Sequence, residues 1–395
     1  MSRIFLVAGE ASGDALGAGL IAGLRRNDPG LDIAGIGGPA MAGEGLTSLF
    51  PMSELSVMGL AEVLPRLPSL MARRSQTVRA AHAFAPDALI TIDSPDFGLR
   101  VADGLRRVAP WVRRIHYVAP TVWAWRPGRA AKLAKRIDHL LALYPFEPAW
   151  FTPHGLTCDF VGHPAATATV ASEAEVAQFR AAEGLGEAPM LLILPGSRSG
   201  EVARLGPRFG AALARLAAVR PGLGACVVAA PGVAGAVRKS VAAWPVPAGI
   251  IDLPERADAR EAAKRQAFAA ADVALAASGT VSLELARQGT AMVIGYDTSR
   301  PTRLIAKRLL TLDTVTLVNI LTGRRDVPEY LGAACTPDAL AGALERLLSD
   351  PSARAAQTRA GAEAMALLGA GGAPPGERAA RSVLAALAEN EHFSS

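Results

Sequence analysis

The stretch ALITIDSPDFG, residues 88–98, carries a largely apolar run into Asp93 and, beyond Pro95, Asp96. A carboxylate that is the first polar group off a buried strand stands where parallel sheets bind ligands, and apolar walls raise its pKa toward useful basicity. Asp93 is therefore the expected general base for a hydroxyl nucleophile. Asp96 is the second choice, because a residue starting the next helix is also explained as its N-cap. A separate segment, LLILPGSRSGEV at 191–202, ends an apolar run in Gly196, Ser197 and Arg198 before a helical pattern begins. Helix-start amides, a hydroxyl and a guanidinium suit a diphosphate, although an ordinary turn with a solvated arginine reads the same way. In ASGTVSLE, residues 277–284, Ser278, Gly279 and Thr280 open another helix, and Glu284 lies four residues past Thr280 on the same face. That carboxylate can accept both hydroxyls of a ribose or stabilise the first turn, and the pattern does not choose between them.

A fourth segment, VAGEASGDALGAGL at 7–20, breaks from an apolar run into glycines and acids. It has neither the lysine of a Walker loop nor the spacing of a dinucleotide fingerprint. Glu10 and Asp14 would repel a pyrophosphate, so Glu10, Ser12, Gly13 and Asp14 are expected to face a hydroxyl-rich ligand, with an Asx-type turn as the other reading of Asp14. No Asp-x-Asp motif follows a strand, and the six histidines and three cysteines are scattered. The expected chemistry is metal-free and without a cofactor, Arg198 and the helix starts near 199 and 279 taking up the charge of a leaving group.

The elements that must position these residues alternate. Apolar runs at 3–8, 32–36, 88–92, 113–118 and 139–143 read as strands, with helical patterns at 14–26, 54–84, 97–108 and 127–136 between them. After a polar stretch near 163–175 the series restarts, with strands in MLLILPG, GACVVAA, AGIIDL, VALAAS and AMVIGY and helices at 201–219, 259–270, 280–288 and 301–309. Two consecutive α/β halves with parallel sheets follow, hinged near residue 170, with the ligand cleft expected between them. A last helical pattern at 375–390 is expected to return to the first half.

A chain of 395 residues exceeds one ordinary core. Half its residues are hydrophobic and its mean hydropathy is +0.25, yet no apolar run is long enough to span a bilayer. The amino terminus runs directly into a strand without a signal-peptide pattern, and the scattered cysteines fit a reducing cytoplasm. A net charge of +5 suits anionic lipid or nucleotide, whereas 5% aromatic residues argue against a nucleic-acid stacking surface. In the segment 54–79, Val63, Leu64, Leu67, Leu70 and Met71 accompany Arg66, Arg73 and Arg74. Such spacing is usually core-forming, but it also suits an anionic membrane surface, and Pro65 and Pro68 predict a short, irregular element. WAWRPGRAAKLAKRIDHL aligns Arg126, Arg129, Lys132 or Lys135, and Arg136 on a predicted helix, either a solvated face or a headgroup contact.

Over nearly the whole chain and in order, GEASGD, GIGGPAM, SELSVMGLAEVLPRL, IDSPDF, HYVAPTVWAWRPGR, LALYPFEPAWF, VGHP, LPGSRSGEV, ASGTVSLE, GY and LVNILTGR resemble the lipid-A-disaccharide synthase family. The resemblance implies an inverting glycosyltransferase of GT-B architecture, two Rossmann-like α/β domains facing across a cleft. It would join UDP-2,3-diacylglucosamine to 2,3-diacylglucosamine 1-phosphate through a β(1→6) bond and release UDP. Residues 1–170 would meet the acceptor and the membrane, residues 171–370 would hold the UDP-sugar, and residues 371–395 would form the returning helix. The family's essential aspartate falls on Asp93, and its UDP contacts extend to Asn319, preceded here by Val318 where proline is common. The implied setting is cytoplasmic, peripheral on the inner face of the bacterial inner membrane, with homo-oligomerisation left open. The competing readings are a UDP-sugar epimerase or other GT-B enzyme, and a nucleotide-sugar binding protein without turnover.

Overall fold

The computed structural model describes residues 2–55, 60–298 and 312–391, the side chains of 60–65 and 390–391 excepted. It divides into two compact units, Met1–Thr167 with Gly371–Ser395, and Ala168–Ala370.

In the first unit, β1 (Arg3–Ala8), α1 (Ala11–Asn27), β2 (Asp32–Ile36), α2 (Pro39–Gly43), α3 (Leu60–Phe84), β3 (Ala88–Ile92), α4 (Pro95–Val108), β4 (Arg113–Tyr117), α5 (Arg129–Ala134), β5 (His139–Ala142), α6 (Pro148–Phe151) and β6 (Thr157–Phe160) build one parallel sheet. Its order is β2-β1-β3-β4-β5-β6, with Ile4 in register with Ile33 on one side and Ala88 on the other. Helices cover both faces, which is why all five residues of β3 are buried and read as an unbroken apolar run. The crossover direction reverses between β1 and β3, so their carboxyl ends flank the crevice where such sheets take ligands.

The helix Pro375–Glu391 packs on α1 across a glycine contact: a Cβ on Gly376 would stand 2.3 Å from the Gly19 carbonyl oxygen, and one on Gly23 would stand 2.6 Å from that of Gly376. Ser382 donates to Asp159 at 2.6 Å and lies 3.0 Å from His139 Nε2, tying the same helix to β5 and β6.

The second unit contains α7 (Glu173–Ala182), β7 (Met190–Leu194), α8 (Ser199–Val219), β8 (Gly224–Ala229), α9 (Ala234–Val241), β9 (Gly249–Asp252), α10 (Ala257–Ala270), β10 (Val273–Ala276), α11 (Val281–Arg287), β11 (Ala291–Tyr296) and β12 (Glu329–Leu331). The parallel order β12-β11-β10-β7-β8-β9 is the dinucleotide-fold arrangement, with its switch point between β7 and β10. Leu191, Ile193, Phe209, Leu275, Val293 and Leu340 form the heart of its core.

Two sequence expectations give way. Pro65 and Pro68 do not break the 54–79 segment: α3 runs 25 residues through both. Each proline removes a single i to i−4 bond, and the remaining turns of a 25-residue helix carry it through. The basic helix expected over 127–136 is only the six residues of α5. The sequence expectations do not include the short strands β6 and β12, α7, α9 or the helices Leu317–Thr322, Pro337–Ser349 and Pro351–Leu367, although Thr336-Pro337 followed by Leu340, Leu344 and Leu347 is a legible helix start and apolar face. The helix expected at 301–309 lies outside the described residues.

Candidate active site

At the β1/β3 switch point, Asp93 and Ser94 turn the chain with φ of +52° and +40°. Non-glycine residues held there cost about 1–3 kcal/mol each, so the neighbours must enforce the turn. They do so closely. Asp93 N donates to the Tyr117 carbonyl at 2.9 Å, Ser94 N donates to Asp93 Oδ1 at 2.9 Å, and Ser12 Oγ donates to Asp93 Oδ2 at 2.7 Å. The first turn of α1 can approach this closely because Gly13 lacks a side chain: a Cβ there would stand 3.1 Å from the Ile92 carbonyl oxygen. The GEASGD loop thus seats Ser12 against Asp93. The Asp93 carboxylate is half-buried and hydrogen-bonded. One strand over, His116 Nδ1 lies 2.7 Å from Thr91 Oγ1, and burial pushes the imidazole down to about 4 despite the Asp93 charge. His116 is therefore neutral beside Asp93 at ordinary pH.

The other residues of the opening loop divide. Glu10 precedes α1, half-buried, and its side chain does not cap the helix. Asp14, expected to face a ligand, turns inward instead. It is 4% exposed, and its carboxylate accepts from Gly38, Ala40 and Met41 backbone amides at 2.8, 2.9 and 3.0 Å. Those amides start α2, which is short of acceptors without it, so Asp14 is a structural anion. Asp96 is not the N-cap of α4; Ser94 holds that position and Asp96 is exposed in the first turn.

At the β7/β10 switch point a cavity of 460 Å³ opens between the β7–α8 turn and the β10–α11 turn. Gly196, Ser197, Arg198, Ser278, Gly279, Thr280 and Glu284 all line it. Gly196 has φ of +117° and brings the chain against Glu201, which accepts from Ser197 N and from Arg198 Nη1, both at 3.2 Å. Glu201 thus occupies the anion-favouring start of α8, and the Arg198 side chain is 64% exposed. Glu284 pairs with Lys264 at 2.6 Å. Burial disfavours the Lys264 charge, but Glu284 and Glu261 outweigh it and hold the ammonium pKa above its ordinary value. Val228, Leu253 and Phe268 supply an apolar wall suited to a flat base. Lys264 and Glu201 were not anticipated, since one charge among the several on a surface-patterned helix carries no functional signal until packing aims it.

Asn319 is not part of this cavity wall. It is fully buried, donating to the Val327 carbonyl at 2.9 Å and Glu329 Oε1 at 3.1 Å and accepting from Val327 N at 3.1 Å. Its side-chain amide braces the loop to β12 rather than lining the cavity.

Along α3, Leu67 is 40% and Met71 58% exposed, with Arg66 exposed beside them. Leu70, expected with them, packs partly against the first unit's core. Arg73, expected to meet phosphates, is spent on Glu54 at 2.7 and 2.8 Å and lies 4.6 Å over the Phe50 ring. Arg74 faces a separate cavity. The side chains of Val63 and Leu64 lie outside the described residues. Among the described residues no helix is long and apolar enough to cross a membrane, and no group of three or more His, Cys, Asp or Glu could hold a metal ion.

Two doubly wound parallel sheets, the second in dinucleotide-fold order and each with polar groups at its switch point, define a GT-B-type α/β protein. Solved structures agree on the fold. A UDP-GlcNAc 2-epimerase from Neisseria meningitidis bound to UDP-GlcNAc matches 98% of this chain and 100% of its own at a TM-score of 0.61 and 11% identity. MurG from Acinetobacter baumannii matches 98% and 100% at a TM-score of 0.56 and 15% identity. At such identities the likeness carries the fold alone. Sequence relatives carry more: the lipid-A-disaccharide synthase of Ruegeria pomeroyi is 54% identical over 97% of this chain and 95% of its own length. That of Pseudomonas aeruginosa PAO1 is 43% identical over 89% and 90%. The family model for lipid-A-disaccharide synthetase matches residues 4–371, and the chain belongs to the lipid-A-disaccharide synthase family.

Proposed function

We propose that the protein joins UDP-2,3-diacylglucosamine to 2,3-diacylglucosamine 1-phosphate, giving lipid A disaccharide 1-phosphate and UDP. Asp93 takes the proton from the acceptor 6-hydroxyl as its oxygen attacks the anomeric carbon. The bond from that carbon to the UDP oxygen breaks, and its electron pair passes to the diphosphate. Ser12 orients Asp93 by holding Oδ2. Arg198 and the amides opening α8 receive the diphosphate, displacing the internal contact with Glu201, while Glu284 takes the ribose hydroxyls and the apolar wall receives the base. The first unit serves the acceptor and the second the donor.

The observation that carries this reading is the Asp93 carboxylate held in a left-handed turn at a switch point, an arrangement suited to proton abstraction. A binding protein without turnover has no use for such a base, and an epimerase is supported by fold alone. Leu67 and Met71, flanked by Arg66, would enter the acyl boundary of an anionic membrane, and the membrane of this reading is the cytoplasmic face of the bacterial inner membrane. The test is UDP release by purified protein given both lipid substrates. Turnover that needs both supports the reading, and release from the donor alone, or none, overturns it.

A further inference from the structure

The first unit holds a cavity of 360 Å³ that the reading above does not use, walled by α3, α4 and the α5 region. On α4, Asp96, Arg100, Asp103 and Arg107 follow one another at intervals of four, three and four residues and form a single stripe on the cavity wall. Arg74 of α3 and Arg129 and Arg136 of the α5 region complete it, so five guanidinium groups share the wall with two carboxylates. One carboxylate is already taken: Arg136 holds Asp103 through contacts of 2.6 and 3.1 Å. Among the described residues, no carboxylate lies within ion-pair distance of Arg74, Arg100, Arg107 or Arg129.

Four arginines converging on one hollow repel each other unless an anion joins them. Guanidinium forks match the paired oxygens of a phosphate better than a point-charge ammonium does, and the cavity is large enough for more than a bare ion. Pro95 and Asp96 follow directly on Asp93 and Ser94, so the cavity begins at the carboxyl end of β3, beside the candidate base. We propose that this cavity is a phosphomonoester subsite that holds the 1-phosphate of the acceptor sugar. The proposal rests on the glycosyl-transfer reading for the identity of the sugar, but not for the phosphate chemistry.

The experiment has a binding arm and a kinetic arm. Wild-type protein should bind glucosamine 1-phosphate, followed by ³¹P NMR, and glucosamine should displace it only at concentrations at least tenfold higher than those at which glucosamine 1-phosphate itself saturates the site. The double variant Arg100→Gln, Arg107→Gln should lose that discrimination and raise KM for phosphorylated acceptor about tenfold or more, with donor KM unchanged. Both arginines are exposed, and Asp96→Asn guards against misfolding as an explanation, since removing a negative charge from the wall should tighten glucosamine 1-phosphate binding severalfold. Unchanged discrimination in the double variant overturns the proposal. So does a double variant that keeps its preference for phosphorylated acceptor but leaves phosphatidylglycerol vesicles, because the phosphate recognised is then the bilayer's. Absence of sugar transfer by wild type with phosphate discrimination intact overturns the functional reading and leaves the anion site standing.

Discussion

Ser12 Oγ donates to Asp93 Oδ2 at 2.7 Å across 81 residues of chain, joining the first turn of α1 to the turn after β3. The bond leaves the rest of the carboxylate to Ser94 N and to a substrate hydroxyl. Asp93→Asn should preserve the fold and UDP affinity and reduce kcat by at least the roughly 10²-fold of a lost general base. Ser12→Ala should reduce kcat less, with Asp93 still present but free to rotate. Near-normal turnover by Asp93→Asn would remove it from the mechanism.

In the second unit, Arg198 Nη1 is held by Glu201 at 3.2 Å, and a diphosphate would compete for it. Arg198→Ala should therefore cost about 2–4 kcal/mol in kcat/KM, with kcat falling beyond any rise in KM. Glu284→Gln should weaken UDP while sparing a nucleotide analogue that lacks ribose hydroxyls, because the half-buried Lys264 retains Glu261 at 3.3 Å. Activity should survive a chelator, and chelator-sensitive turnover would contradict the metal-free reading.

Membrane contact should depend on exposed α3 residues and not on those packed into the core. Leu67→Ser with Met71→Ser should lower affinity for anionic vesicles and raise KM for vesicle-borne substrate, with little change on detergent-dispersed substrate. Leu70→Ser should instead lower Tm, since Leu70 packs on the core. Vesicle sedimentation and thermal melts separate the two. Unchanged sedimentation of the double variant would place the contact elsewhere.

Glu147 accepts from Trp123 Nε1 at 3.1 Å and from Leu143 and Tyr144 amides at 3.0 Å, and burial raises it to about 7 against these bonds. Its folded pKa lies above the unfolded value, so its contribution is full below pH 4.5 and declines as pH rises through 7. Burial lowers His116 and His163 to about 4, so each does the reverse: stability rises between pH 4 and 6.5 and is lost as pH falls through 4. Glu147→Gln removes the opposing effect. Relative to wild type, its unfolding free energy should rise with pH between 4.5 and 7 by roughly 2–3 kcal/mol. Denaturant titrations across that range measure it, and parallel curves for the two proteins would contradict it.

The sequence by itself determined the parallel sheets and the strand ends where sheets of this kind take ligands. Buried strands leave continuous apolar runs, and the first polar residue after each run, Asp93 or the Gly196–Arg198 turn, marks a strand end whatever the packing. Tertiary structure decided which polar groups remain for a ligand. Asp14 lies two residues from Ser12, yet its carboxylate is consumed by amides 24 to 27 residues away, and Asn319 is consumed by Val327 and Glu329. Arg73 goes to Glu54 while its neighbour Arg74 opens onto the arginine cavity. A side chain's type states what it can bond. Whether a partner reaches it first depends on which distant backbone or charge the fold brings within about 3 Å, and local spacing carries no record of that.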